Sequence, residues 1–101
     1  MVDKRSHARF PVTLEVTLIV AGERHLARTR DVSLGGMFVY TDVKIPLGAE
    51  VQVQLTIPAL KELTTVDSVA RWHDEGGLGV SFKGMRAREV WALNQLFKTA
   101  G

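Results

Sequence analysis

Two short runs in this chain hold the residue types and spacings best suited to chemistry. The first, Lys4-Arg5-Ser6-His7-Ala8-Arg9, sets two arginines four residues apart near the start of the chain. A guanidinium fork holds a phosphate through two parallel hydrogen bonds, and its flat face stacks on a purine, so such a pair suits a nucleotide. The same R-x-x-x-R spacing recurs at Arg24 and Arg28. There, strand alternation makes it a solvated stripe, so spacing alone does not separate a site from an ordinary charged surface. The second run, Asp31-Val32-Ser33-Leu34-Gly35-Gly36, has the pattern D-x-S-x-x-G. A carboxylate accepts two N–H groups from a guanine edge, a serine hydroxyl donates or accepts, and glycine lets a ligand approach the backbone. Taken locally, the same residues also describe a plain turn, with Asp and Ser bonding to nearby backbone and paired glycines meeting positive φ angles.

Other chemistries find less support. His7, His25 and His73 are scattered, and the chain has no cysteine, so neither a zinc site nor a thiol nucleophile is expected. Ser33, His25 and Asp31 are the residue types of a hydrolase triad, yet no nucleophile elbow accompanies them, and the chain reads as a non-enzyme that needs no cofactor. No phosphate-loop or dinucleotide fingerprint occurs. Gly76-Gly77-Leu78-Gly79 reads as a tight turn entering a strand. Trp72, Trp91, Phe82 and Phe97 fall on periodic apolar stripes and are expected in the core. Met37 and Phe38, just after the second run, fit either the core or a partner surface.

Hydrophobic periodicity supplies the elements that must position these groups. Period-two alternation predicts strands over about 11–22, 24–31, 37–40, 51–57, 63–72 and 78–82, with turns at Gly22-Glu23, Pro46-Leu47-Gly48 and Asp74-Glu75-Gly76-Gly77. In the second strand, Arg24, Leu26, Arg28 and Arg30 are expected on one face and His25, Ala27, Thr29 and Asp31 on the other. From Arg86 to Lys98 the period changes. Val90, Leu93 and Phe97 form a helical stripe that Trp91 and Leu96 widen. Six short strands with close turns and a terminal helix predict a mainly β, antiparallel barrel or sandwich.

Composition agrees with a single domain of 101 residues and 46% hydrophobic content. Residues 1–9 read as a flexible basic segment and 10–101 as the folded unit. The formal charge of +2, from 13 Lys+Arg against 11 Asp+Glu, is too balanced for coating DNA or RNA through net field, so any anion site must be local. The longest apolar runs are far too short for a membrane span and the start lacks a signal-peptide core, which predicts no membrane insertion and fits a cytoplasmic protein.

An R-x-x-x-R segment before the first strand, followed by D-x-S-x-x-G between the second and third, resembles the bacterial PilZ domain family. Val69-Ala70-Arg71-Trp72 and Gly79-Val80-Ser81-Phe82 resemble that family's fifth and sixth strands, so the likeness spans about residues 4–98. The resemblance implies a six-stranded antiparallel PilZ-type β-barrel with a C-terminal α-helix that binds the second messenger cyclic di-GMP. It implies that Arg5 and Arg9 wrap over the ligand, that Asp31 and Ser33 meet the guanine edge, that Gly36 closes the motif, and that Lys4 adjoins the first arginine and belongs to the ligand-binding set. The signal would pass to a downstream protein partner. A PilZ-like adaptor that does not bind cyclic di-GMP is the alternative, and a more distant one is a small barrel binding single-stranded nucleic acid along Arg24, Arg28 and Arg30. Under the receptor reading, the polar 1–9 segment is a strap that orders on the ligand.

Overall fold

The computed structural model describes residues 8–100, so Lys4 and Arg5 lie outside the described residues. Six strands, β1 (Glu15–Val20), β2 (Glu23–Val32), β3 (Gly36–Tyr40), β4 (Glu50–Thr56), β5 (Leu63–Asp74) and β6 (Gly77–Phe82), precede helix α1 (Ala87–Ala100). They form a closed barrel in the order β1-β2-β3-β6-β5-β4, every neighbouring pair antiparallel, with β1 and β4 completing the circle. Among the described residues, closure leaves no barrel strand with an unpaired edge to recruit another chain. Alternation drives the packing: Val16, Leu18, Val39, Val51, Val53, Leu55, Val66, Leu78 and Val80 point inward and form one buried cluster. No helix among the described residues is long and apolar enough to cross a membrane.

The predicted elements all occur, but three details differ in ways that matter for the site. β1 starts at Glu15 instead of near Pro11. Ahead of it the chain is held by Thr29, whose hydroxyl donates to the Val12 carbonyl at 2.5 Å and accepts from the Leu14 N–H at 2.8 Å. The first turn falls on Ala21-Gly22, both at positive φ, which matches the right-handed twist a two-residue hairpin needs. Most consequentially, β2 and β5 each carry a register shift, between Thr29 and Asp31 and between Ala70 and Trp72. An extra residue in a strand flips the alternation beyond it. Asp31 therefore pairs opposite Phe38, and Trp72 opposite Gly79, both on the outer wall. The expected sharing of one face by Thr29 and Asp31 does not hold, nor does a core position for Trp72.

Helix α1 buries Glu89, Ala92, Leu93 and Phe97, while Trp91, expected in the core, is 53% exposed because it falls between the buried turns. Glu89 caps the helix start by accepting the Arg86 N–H at 3.0 Å and pairing with the Arg86 guanidinium at 3.2 Å. Phe97 stacks on Phe10 with ring centroids 4.2 Å apart and planes within 11°. Phe10 in turn exchanges two 2.9 Å backbone hydrogen bonds with Val32, at the end of β2. The residue beside Arg9 is thus clamped between strand and helix. Phe97→Leu is expected to destabilise the domain by about 1 kcal/mol through loss of the aromatic pair, lowering the thermal midpoint by roughly 4–8 °C. An unchanged midpoint in a calorimetric scan would show that the stack contributes nothing.

Candidate functional site

The two bulges and the clamped N-terminal segment converge on the outer wall formed by β2, β3, β6 and β5. Phe38 projects outward from β3, yet it is fully buried because other side chains cover it. The Arg30 guanidinium lies 3.9 Å above its ring, the Trp72 ring is 6.4 Å away, and Tyr40 meets it edge-on at 6.2 Å. The aromatics can lie flat because β6 offers only glycine beneath them. A Cβ on Gly79 would fall 2.0 Å from the Trp72 ring, and one on Gly77 would fall 2.3 Å from the Phe38 ring.

Charged groups frame this aromatic shelf. Arg9, 22 residues away in sequence, places Nη1 2.5 Å from Asp31 Oδ1 and its guanidinium 5.0 Å from the centre of the Trp72 ring. Arg30, at the β2 bulge, donates from Nε to the other oxygen of the same carboxylate at 2.8 Å and comes within 3.8 Å of Asp74. Asp31, only 13% exposed at its side chain, is gripped from both sides. This arrangement can bind an anion through guanidinium forks, stack a flat base on an aromatic or guanidinium face, and present a carboxylate to N–H donors.

Comparison with known proteins agrees with the geometry. The model of the PilZ domain family matches residues 3–98. The chain belongs to the PilZ domain family. Similar solved structures include the Bacillus subtilis inhibitor of motility MotI/DgrA, at 17% identity and a TM-score of 0.79, covering 97% of this chain and 51% of that one. The PilZ domain of CeSA from a cellulose-synthesizing bacterium, at 17% identity and 0.69, covers 91% and 96%. The Borreliella burgdorferi PlzA protein, solved in complex with c-di-GMP, at 13% identity and 0.75, covers 94% and 41%. The chain therefore spans about half the length of MotI/DgrA and less of PlzA. No curated protein matches it in sequence.

Within this PilZ domain, the expected site residues take different parts. Arg9 and Asp31 come into direct contact. Ser33 is buried, and its hydroxyl accepts the N–H groups of Gly35 and Gly36, each at 3.1 Å, so it shapes the β2–β3 loop. Gly36 has no positive φ; its role is close approach, since a Cβ there would sit 2.2 Å from the Val80 carbonyl oxygen. The turn reading of paired glycines is thus corrected to one of strand packing. Arg24 and Arg28, the competing R-x-x-x-R, lie on the wall and bond to Gln54 and Glu15. The sequence reading names Arg30, Phe38 and Trp72 but gives none of them a part in this site. The alternating glycines at 77 and 79 carried a signal for them, because successive outward glycines in a strand leave room for a neighbour's aromatic ring.

Proposed function

We propose that this PilZ domain is a receptor that binds cyclic di-GMP on the outer wall of β2, β3, β5 and β6 and relays the event to a partner protein. The observation that carries the reading is the meeting of two motifs far apart in sequence: Arg9 lies on Asp31 at 2.5 Å, beside an aromatic shelf. The ligand offers two phosphates and two guanines. On binding, Arg9 would exchange the Asp31 carboxylate for a phosphate, releasing Oδ1 to accept N–H groups of a guanine edge. Arg30 would keep Oδ2, so that the carboxylate stays aimed. Lys4 and Arg5 are expected to add to the strap, and Ser33 and Gly36 to hold the loop that follows Asp31. A guanine laid on Trp72 would take over the ring face that the Arg9 guanidinium covers.

Calorimetric titration tests this reading. Cyclic di-GMP should bind saturably, and Trp72→Ala should weaken it about fivefold, the low end of base-stacking energies, because the ring face already has a cation over it. Trp91→Ala, an exposed tryptophan of α1, should change nothing. Absent heat with cyclic di-GMP and saturable binding only to a protein would favour the adaptor. Salt-sensitive binding to oligonucleotides would favour the nucleic-acid barrel.

A further inference from the structure

A second feature of the barrel wall adjoins the candidate site at Tyr40 and extends away from it across β2, β1 and β4. Leu26 is 86% exposed, Leu63 64% and Tyr40 51%. A lone exposed leucine on a strand is ordinary, but grouped ones mark contact surfaces. These three are grouped. Register sets Tyr40 beside Arg28 and Arg28 beside Glu15, with Leu26 beside Thr17, and Leu63 beside Thr56 on the neighbouring strand pair. Two hollows, of about 460 and 380 Å³, share Glu15, Val16 and Leu26; the first reaches Tyr40 and the second Leu63. They form one trough with a leucine knob on its rim.

Its charges select the occupant. Among the described residues, Glu15 and Arg28 are the only charged ones lining either hollow. They stand 3.5 Å apart with side chains 82% and 69% exposed, so this pair is well hydrated and free to exchange partners. A nucleic acid or a strongly acidic or basic protein would be met by one sign of charge. Here one anion and one cation sit side by side, next to a knob that adjoins its own hollow. A two-fold rotation maps such a surface onto its complement, anion to cation and knob to hollow.

We propose that this face is the contact of a two-fold homodimer, in which Leu26 of each copy enters the other's trough and Glu15 of each pairs with Arg28 of the other. Sedimentation velocity on the 101-residue chain, from about 1 µM to about 1 mM, should show a monomer–dimer equilibrium of micromolar strength. Leu26→Asp should raise the dimer Kd at least tenfold with the thermal midpoint of the monomer unchanged, since the side chain covers no core. The decisive arm is a mixture. Glu15→Arg and Arg28→Glu should each abolish self-association, and an equimolar mixture of the two variants should restore it by pairing complementary faces. A chain that stays monomeric throughout overturns the proposal and leaves the trough to another protein. So does a dimer untouched by Leu26→Asp, or a mixture that associates no better than its components.

Discussion

Arg9→Ala is expected to weaken cyclic di-GMP binding between about tenfold and a hundredfold while leaving the barrel folded. A charge-assisted hydrogen bond contributes about 1.5–3 kcal/mol, and each 1.4 kcal/mol is tenfold in affinity. Two effects oppose each other in this estimate. The arginine surrenders its contact with Asp31 when it turns to the ligand, which reduces the net gain. In the variant, however, Arg30 alone holds the carboxylate, and Trp72 loses the cation above its ring. The loss should exceed the exchange cost, because a phosphodiester anion offers two oxygens to both arms of the fork and Asp31 stays paired either way. Stability should change little, since Phe10, not Arg9, makes the backbone bridge to Val32 and the stack on Phe97. Arg28→Ala, from the other R-x-x-x-R, is the control: it pairs only with exposed Glu15 among the described residues and should leave affinity within about twofold. Equal losses at both positions in calorimetry would mean that general charge, and not the Arg9–Asp31 meeting, governs binding.

Gly36→Ala should be among the most damaging single methyls in the barrel. The added carbon would lie 2.2 Å from the Val80 carbonyl oxygen and 3.2 Å from the Ser81 Cα, both backbone atoms of β6. A flexible side chain could swing aside; a paired strand cannot without breaking its ladder. Overpacking of this kind costs about 1–3 kcal/mol and occasionally more. The upper end applies here, which corresponds to a midpoint lowered by roughly 12–24 °C. The damage would also reach the site, because the Gly36 N–H donates to Ser33 and its carbonyl accepts the Ser33 N–H at 2.8 Å, so a displaced β3 drags the loop that follows Asp31 and Val32. Gly48→Ala offers the contrast. Its Cβ would meet nothing within 4 Å, and only its φ of 89° would be strained. Equal midpoints for Gly36→Ala and the unaltered chain would show that β3 and β6 leave room for a methyl at this position.

The barrel was legible because its inner wall obeys alternation: Val51, Val53 and Leu55 point inward as their spacing requires. Residues beyond a bulge were not. One extra residue at Arg30 or Arg71 reverses which side chains face out, and nothing in residue type announces the extra position. For that reason alternation alone sets Asp31 on the face of Thr29 and Trp72 in the core, and the fold does neither. Trp91 misled for a different reason. A helix stripe widened to include it would need a broader buried face than α1 has, and Glu89, a capping carboxylate, occupies the inward position instead. Long-range pairing across 22 residues, as between Arg9 and Asp31, becomes visible only once the N-terminal segment is tied to the end of β2. Ser33 shows the limit of reading a motif by residue type. Its hydroxyl suits a guanine edge, but in the fold it is engaged with the backbone of its own loop.

Whether a nucleotide binds where these motifs meet can be read residue by residue in a nuclear magnetic resonance titration with cyclic di-GMP. The backbone amides of Arg9, Asp31 and Gly36 and the Trp72 indole N–H should shift together and saturate at one ligand concentration. The amides of Ile19, Gln52 and Asp67, on the wall of β1, β4 and β5, should stay in place. Shifts confined to that second group, or none at saturating ligand, would contradict the account.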